Sequence, residues 1–335
     1  MTRLSDIIRD KFPSKKIVIV GDLVADQFLH GTIARVSREA PVFILRHNET
    51  ETLPGGAANA AVNVASLGGK AVLVGLTGND ANGDALLERL RNSNVECRYV
   101  ISSDEYRTTT KVRVLAGQHY APRQQVIRID YENTETIDIR LKNCLKENFL
   151  AAAQDSNAII ISDYNYGVAT AEIMEVAKRV SADKKIPLIV DSRFALKNFR
   201  GATTATPNQE EVEQILGENF TEADCVNLCK NLSYEALLIT RGNKGMLLIE
   251  KNNTPFHLEA VGAKEPVDVT GAGDTVIAAY ALALASDLSF SEAANLANHA
   301  GGIVVMKKGT ASVSSEELLT SVSKNVQEEH KTQTL

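Results

Sequence analysis

Apolar residues along this chain fall into short runs separated by stretches of helical period, and that alternation sets the expected fold. Residues 16–22, "KIVIVGD", are a continuous β-branched run closed by glycine and aspartate. This is the pattern of a buried parallel strand whose carboxyl end opens onto a site. Residues 71–76 form a second such run, with a helix predicted over 84–91. Beyond Asp130 the alternation is strict: helical 137–153 leads to "AIIISDY", helical 170–181 to "PLIVDSR", and helical 210–216 and 222–231 to "ALLITRG". Strands alternating with helices imply right-handed crossovers and a largely parallel sheet, so the fold class is α/β. A last helix is predicted over 290–305, and the polar stretch 324–335 is expected to fray.

Three stretches depart from this rhythm. Residues 31–46, "GTIARVSREAPVFILR", suggest short extended pieces interrupted by Pro41, a candidate flap beside the main sheet. In 107–129, "TTTKVRVL" and "QQVIRID" alternate as two strands joined by "AGQHYAPR". Residues 54–69, "PGGAANAAVNVASLGG", read as a small-residue helix bracketed by glycine pairs, with Asn59 one turn after Gly55 and Gly56. Small side chains allow close approach of backbone or ligand; a tightly packed buried helix and a helix that binds a sugar hydroxyl fit equally.

A chain of 335 residues can bury a large core as one α/β unit. Its net charge of −6, with no basic tail, argues against generic nucleic-acid binding, so any positive site must be local. One such locality exists: Arg107, Lys111, Arg113, Arg123 and Arg128 occur with no acidic residue among them. They either guard a sheet edge or bind an anion, arginine's planar fork suiting phosphate oxygens. The N-terminal "MTRLSDIIRDKFPSKK" lacks the apolar core of a secretory signal, and the longest apolar run, 276–285, is shorter than the roughly 20 residues that span a bilayer. A soluble, cytoplasmic protein with no membrane partner is expected. Cys225 and Cys229 have helical spacing but no second Cys or His pair, which makes them core or surface positions on one helix rather than metal ligands.

The densest chemistry lies in residues 266–284, "PVDVTGAGDTVIAAYALAL". Two glycines lead into an apolar helix, so the amides of Ala272, Gly273 and Asp274 can point into one space backed by the positive end of the helix dipole. A carboxylate inside an anion hole weakens plain phosphate binding; Asp274 either caps the helix or handles a proton beside a phosphoryl group in transfer. A dinucleotide fingerprint fails because Val276 holds the third glycine position. A P-loop at Gly78 and Gly83 fails because Asp84 and Ala85 replace its Lys and Ser/Thr. Asp22, Asp163, Asp191 and the pair Thr240 and Arg241 fall at strand carboxyl ends, where open α/β sheets hold ligands, whereas Asp26 reads as a solvated loop residue. In "TPNQEE", Asn208 is a natural helix cap, and Asn208 with Glu211 could equally meet hydrated Mg²⁺.

Taken in order, "PGGAANAAVNVASLGG", "TPNQEE", "TRGNKGM" and "DVTGAGDT" resemble the ribokinase-like, or PfkB, carbohydrate kinases across almost the whole chain. "GDLVADQF", "ARVSREAPV", "QQVIRIDYE", "SDYNYG" and "MKKGTASVS" resemble the branch that phosphorylates O1 of D-glycero-D-manno-heptose 7-phosphate for ADP-heptose and lipopolysaccharide-type glycans. That branch is often fused to a nucleotidyltransferase, and with no "HxGH" motif before Leu335 the resemblance is to a stand-alone kinase. It implies a three-layer α/β/α sandwich over 1–335 with a small β lid near 31–47 and 98–130, often paired between subunits as a homodimer. Asp274 would be the base, with Gly271, Ala272 and Gly273 as the anion hole. Asp22, Gly55, Gly56 and Asn59 would hold the sugar, with Arg38, Lys111, Arg113, Arg123 and Asp163 on the substrate side. ATP and Mg²⁺ are implied at Asn208 and Glu211, with Thr240, Arg241, Gly242, Gly245 and Asn298 bordering the nucleotide. Asp268, Thr270 and Gly309 resemble a monovalent-cation site, as for K⁺. Two departures fall on the substrate side: Asn165 and Tyr166 replace a Gly–Lys pair, and "AGQHYAP" lengthens a connection. Kinases of fructose phosphate or ribose, and a non-catalytic sugar- or nucleotide-binding regulator, are the rival readings.

Overall fold

The computed structural model describes residues 3–117, 124–133, 136–262 and 265–332. In chain order its strands are β1 (Lys16–Gly21), β2 (Leu23–Val36), β3 (Phe43–Gly56), β4 (Lys70–Gly78), β5 (Glu96–Ser103), β6 (Thr110–Gly117) and β7 (Gln124–Tyr131). The second half adds β8 (Ala158–Asp163), β9 (Leu188–Ser192), β10 (Thr204–Ala205), β11 (Ala236–Thr240), β12 (Met246–Glu250) and β13 (Phe256–Leu258). Nine of them form one sheet in the order β13-β12-β11-β10-β9-β8-β1-β4-β5. It is parallel from β5 through β11 and antiparallel across β12 and β13.

Alternation along β1 shows how the sequence builds three layers. Ile17 and Ile19 join one hydrophobic cluster and Val18 and Val20 the other, so both faces of the sheet are covered by helices. On the first face lie helices Ala57–Ser66, Ala81–Asn92, Ala272–Ala285 and Phe290–Val304; on the second, Ile139–Ala152, Ala171–Lys184, Gln209–Leu216 and Glu222–Asn231. Ala272–Ala285 is apolar on nearly every side and lies between Ala57–Ser66 and Phe290–Val304, which is why it is buried from Asp274 onward while Gly273 at its start stays exposed. Cys225 and Cys229 are buried in their helix, which decides for core over surface. The helix Ser315–Thr332 continues past Lys324, so the backbone expected to fray there is helical through Thr332. No helix of the described residues is long and apolar enough to cross a membrane.

The lid is a second sheet, in the order β3-β2-β6-β7. Its hairpin is longer than "short extended pieces": β2 and β3 each run 14 residues, and Pro41 sits in the intervening turn. The boundary of the lid's second segment also differs from the predicted 98–130, because β5 pairs in parallel with β4 at the edge of the main sheet, leaving that segment to begin at Thr110. β2 follows β1 after a single residue. A Cβ on Gly21 would lie 2.0 Å from the Ser162 carbonyl oxygen, so only glycine lets the chain leave β1 so close to β8. The lid is thereby rooted at the carboxyl ends of the central strands.

Candidate active site

At the root of the lid, Gly271 takes a left-handed conformation (φ 74°) as the cap of Ala272–Ala285. A Cβ there would come within 2.6 Å of the Asn59 side-chain nitrogen, so the glycine admits Asn59 to the helix start. The amides of Gly273 and Asp274 have no hydrogen-bond partner among the described residues, and nothing lies within 4 Å of where a Gly273 Cβ would stand. Unpaired amides at a helix start form an anion site. Ala272 corrects part of the sequence prediction: its N–H donates to the Val269 carbonyl at 3.2 Å and is not free for an anion.

Asp274 is 4% exposed. Its Oδ2 accepts from Asn59 Nδ2 at 2.7 Å and its Oδ1 from the Tyr164 hydroxyl at 3.1 Å. Burial lifts its carboxyl to about 7, against the opposing pull of those two donors. Burial also pushes the Tyr164 phenol far up, so Tyr164 remains a donor at any working pH. A carboxylate near 7 is matched to taking a proton at neutral pH. If it does, kcat/KM has an acid limb near pH 7 and falls about tenfold per unit below it. A rate–pH profile that is flat from pH 6 to 8 would remove Asp274 from that role.

Tyr164 is positioned by a turn that Asp22 builds. The Asp22 carboxylate accepts the backbone amides of Tyr164 (2.8 Å), Tyr166 (3.0 Å) and Val168 (3.0 Å). Burial raises its carboxyl to about 6 despite these bonds. Asp22, predicted to hold sugar, thus faces the 164–168 turn and does not line the cavity. Asp163, also predicted on the substrate side, accepts the Ser192 hydroxyl at 2.7 Å and the Asn165 amide at 3.0 Å, tying β8 to β9.

In front of Asp274 opens a solvent-open cavity of about 100 Å³ walled by the lid, the 164–168 turn and the helix start. Gly55 and Gly56 line it, and a Cβ on Gly55 would meet the Asp26 carboxylate at 2.6 Å. Asp26 corrects the expectation of a solvated loop. It is 7% exposed, lies on β2 and pairs with Arg113 at 2.5 Å. The basic stretch is also less unbalanced than its sequence implies, because Arg128 is bound by both oxygens of Asp130 and Arg107 stacks on Tyr131. Lys111 lines the cavity with no carboxylate within ion-pair distance among the described residues, and burial pulls its ammonium below its usual range. Arg38 is exposed in the hairpin turn and does not line the cavity. Arg123 lies outside the described residues.

The predicted nucleotide side gathers at the other end of the sheet's carboxyl edge. Asn208 and Glu211 form a reciprocal capping box, each side chain accepting the other's amide at 2.9 Å. A parallel bridge joins Asn208 to Thr240, which precedes Arg241 and Gly242. A Cβ on Gly245 (φ 80°) would meet the Leu258 carbonyl at 1.9 Å, and Asn298 donates to the Glu259 carbonyl at 2.7 Å. Asp268 accepts the amides of Thr270 and Gly309 at 2.9 Å each, which brings that predicted trio together.

Sequence reasoning assigned no role to Tyr164, Arg193 or Thr310. Arg193 lines the cavity without an ion-pair partner among the described residues and stacks over Tyr164 at 5.9 Å. The Thr310 hydroxyl is buried with no hydrogen-bond partner among the described residues. Tyr164 and Arg193 both stand one or two residues beyond strand-terminal aspartates, the only local signal they carry.

The model of the pfkB family carbohydrate kinases matches residues 14–317. A bifunctional protein HldE from Vibrio parahaemolyticus is 40% identical over 320 residues, covering 93% of this chain and 64% of its own length. The chain thus spans a little under two thirds of that relative. Among solved structures, Arabidopsis thaliana ribokinase complexed with ribose and ATP superposes with a TM-score of 0.69 at 21% identity, covering 92% of this chain and 98% of its own. Escherichia coli phosphofructokinase-2 in complex with potassium gives 0.72 at 19% identity with the same coverage. These two likenesses establish a ribokinase-like fold.

Proposed function

The chain belongs to the pfkB family of carbohydrate kinases and is a phosphotransferase with an alcohol acceptor, and from that premise we propose that it transfers the γ-phosphoryl of ATP to O1 of D-glycero-D-manno-heptose 7-phosphate. The observation that carries the reading is Asp274, a buried carboxylate at about 7, set beside unpaired helix-start amides and facing a cavity that holds an unpaired lysine. The Asp274 carboxylate takes the O1–H proton as O1 forms its bond to the γ-phosphorus. The bond from that phosphorus to the bridging oxygen breaks, and ADP leaves with the electron pair. The amides of Gly273 and Asp274 stabilise the charge on the phosphoryl oxygens in flight. Gly55, Gly56 and Asn59 border the sugar, and Lys111, with Arg193, meets the phosphate it already carries.

The residues suit a divalent cation near Glu211. Burial and then the charges of Glu211, Asp274 and Asp163 push the Asp191 carboxyl well up, and burial raises Glu211 too. An acidic neighbourhood of this kind is relieved by a cation. Mg²⁺ held by Asn208 and Glu211 through water would neutralise ATP's phosphates. For K⁺, Asp268, Thr270 and Gly309 offer a compact oxygen-bearing loop; burial opposes the Asp268 charge, but the Thr270 and Gly309 amides still hold its carboxyl below the usual range.

A homodimer through the lid is favoured by its exposed apolar residues, among them Val36, Phe43, Val126, Ile127 and Ile129. Sedimentation equilibrium should return twice the chain mass, and a monomer at micromolar concentration would refute it. The substrate is tested by a phosphorylation screen of sugars and sugar phosphates with ³¹P NMR of the products. Heptose 7-phosphate phosphorylated at O1, with the highest kcat/KM, is expected; preference for a fructose phosphate or ribose would overturn the substrate, and no ATP consumption with any acceptor would overturn the kinase.

A further inference from the structure

Behind Asp274 a chain of buried polar side chains runs in one direction. Thr275 Oγ1 donates to Asn63 Oδ1 at 2.8 Å. Asn63 Nδ2 donates to Asn59 Oδ1 at 3.2 Å and to the Asn59 carbonyl at 3.0 Å. Asn59 Nδ2 donates to Asp274 Oδ2 at 2.7 Å. Asn59, Asn63 and Thr275 are 2%, 0% and 0% exposed, so water is not available to replace any of these partners.

A primary amide has a donor end and an acceptor end, and a half-turn exchanges them. Asn59 could therefore face Asp274 with either N–H, which favours the carboxylate, or oxygen, which favours the protonated acid. Nothing in Asn59 itself decides. Asn63 decides, because its Nδ2 meets Asn59 Oδ1 and would lose that bond if Asn59 turned over. Asn63 is held in turn by the main-chain carbonyl of Asn59, which accepts from its Nδ2 and cannot turn over, and by the Thr275 hydroxyl on its own oxygen, a hydroxyl that also lies 3.3 Å from the Gly271 carbonyl. A buried amide left with oxygen facing oxygen is costly, on the order of 1–3 kcal/mol, so each link transmits its orientation to the next. We propose that Asn63 and Thr275 are positioning residues that lock the Asn59 amide with its N–H toward Asp274 and so hold the base in its ionised form. This rests on Asp274 being the base.

Other charged and titratable groups around Asp274 are separate from this relay. Asp26, Lys111 and Arg113 reach its cavity from the lid, Tyr164 from the turn after β8 and Arg193 from the residue after β9, while Asp191 on β9 acts on Asp274 through its charge. None of them is hydrogen-bonded to Asn63 or Thr275 among the described residues. The helix Ala57–Ser66 contains no ionisable side chain. On Phe290–Val304, Glu292 is engaged by Arg3 and His299 by Ser321.

The direct test follows the ¹³C resonance of the Asp274 carboxyl through a pH titration, the signal assigned by its loss in Asp274→Asn. Asn63→Leu should move the midpoint up by about one pH unit, and Thr275→Val should move it the same way by less. Thr275→Ser, which keeps the donor, should restore the midpoint. With ATP and heptose 7-phosphate as probes, the acid limb of kcat/KM should shift by the same amount: a loss of about tenfold at pH 6 that vanishes above pH 9. A packing defect would lower the rate at every pH. Where Asn63→Leu does not fold, Thr275→Val carries the test. A midpoint unmoved in the variants that fold overturns the proposal. Failure of the base assignment looks different, since Asp274→Asn would then keep full activity while the titration shifts remain.

Discussion

Asp274→Asn should lose on the order of 10²–10⁴ in kcat while melting at a higher temperature than the unsubstituted protein at pH 8. The activity loss follows from geometry: an amide of the same shape offers no basic oxygen for the sugar's proton. The stability gain follows from linkage. Burial raises the folded carboxyl to about 7, whereas the unfolded chain titrates near 3.8. A group whose folded value is raised contributes its stability at low pH and loses it as pH climbs through the folded value. Between pH 4 and 7 the unfolded chain ionises Asp274 while the native state keeps it protonated, which costs the native state up to roughly 4 kcal/mol at about 1.4 kcal/mol per unit. Asparagine carries no such penalty. Its oxygen can accept from Asn59 and its amide can donate to the Tyr164 oxygen, so both contacts survive. Calorimetry from pH 4 to 8 should show the advantage of the variant growing with pH. An unchanged kcat removes Asp274 from the chemistry, and a variant less stable at pH 8 shows that the buried charge is not a cost.

How much of this was legible in the sequence depends on how local each signal is. The α/β alternation after Asp130 and the "GAGD" turn are local, because strand period, glycine conformation and helix start are written within a dozen residues. The α/β class and the helix start that carries Asp274 therefore follow directly from the residues, whereas its part as base is what the resemblance implies and what we propose. β5 was not placed correctly because an alternating strand looks alike at the edge of the main sheet and in the lid. Asp26 and Arg113 pair across 87 positions, so neither the burial of the acid nor the neutralisation of the base is visible from its neighbours. Ala272 is the converse case: the motif suggests a free amide, but one bond back to Val269 consumes it. Tyr164 depends on a turn organised by Asp22, 142 positions earlier in the chain, which no periodicity announces.

Those corrections change which cation of the lid matters most. Arg113 is bound by Asp26 and Arg128 by Asp130, so each already has its counter-charge, and substituting either would also release a carboxylate. Lys111 has none within ion-pair distance among the described residues. It lies 5.7 Å from the Tyr166 ring, in the wall of the cavity. Burial makes its positive charge unfavourable, so an incoming phosphate restores what burial removes and gains a charge-assisted bond of roughly 1.5–3 kcal/mol. At about 1.4 kcal/mol per factor of ten, Lys111→Ala should raise KM for the sugar phosphate on the order of 10- to 100-fold, with KM for ATP within about twofold. The same variant should treat an unphosphorylated sugar much as the unsubstituted protein does, because no second phosphate is present to lose its partner. Lys111→Arg, which keeps the charge on a wider head group, should recover part of the loss. Steady-state kinetics with both acceptors decide the matter. If KM for ATP rises as much as KM for the sugar phosphate, Lys111 serves the nucleotide, and the lid cannot be what selects a phosphorylated acceptor.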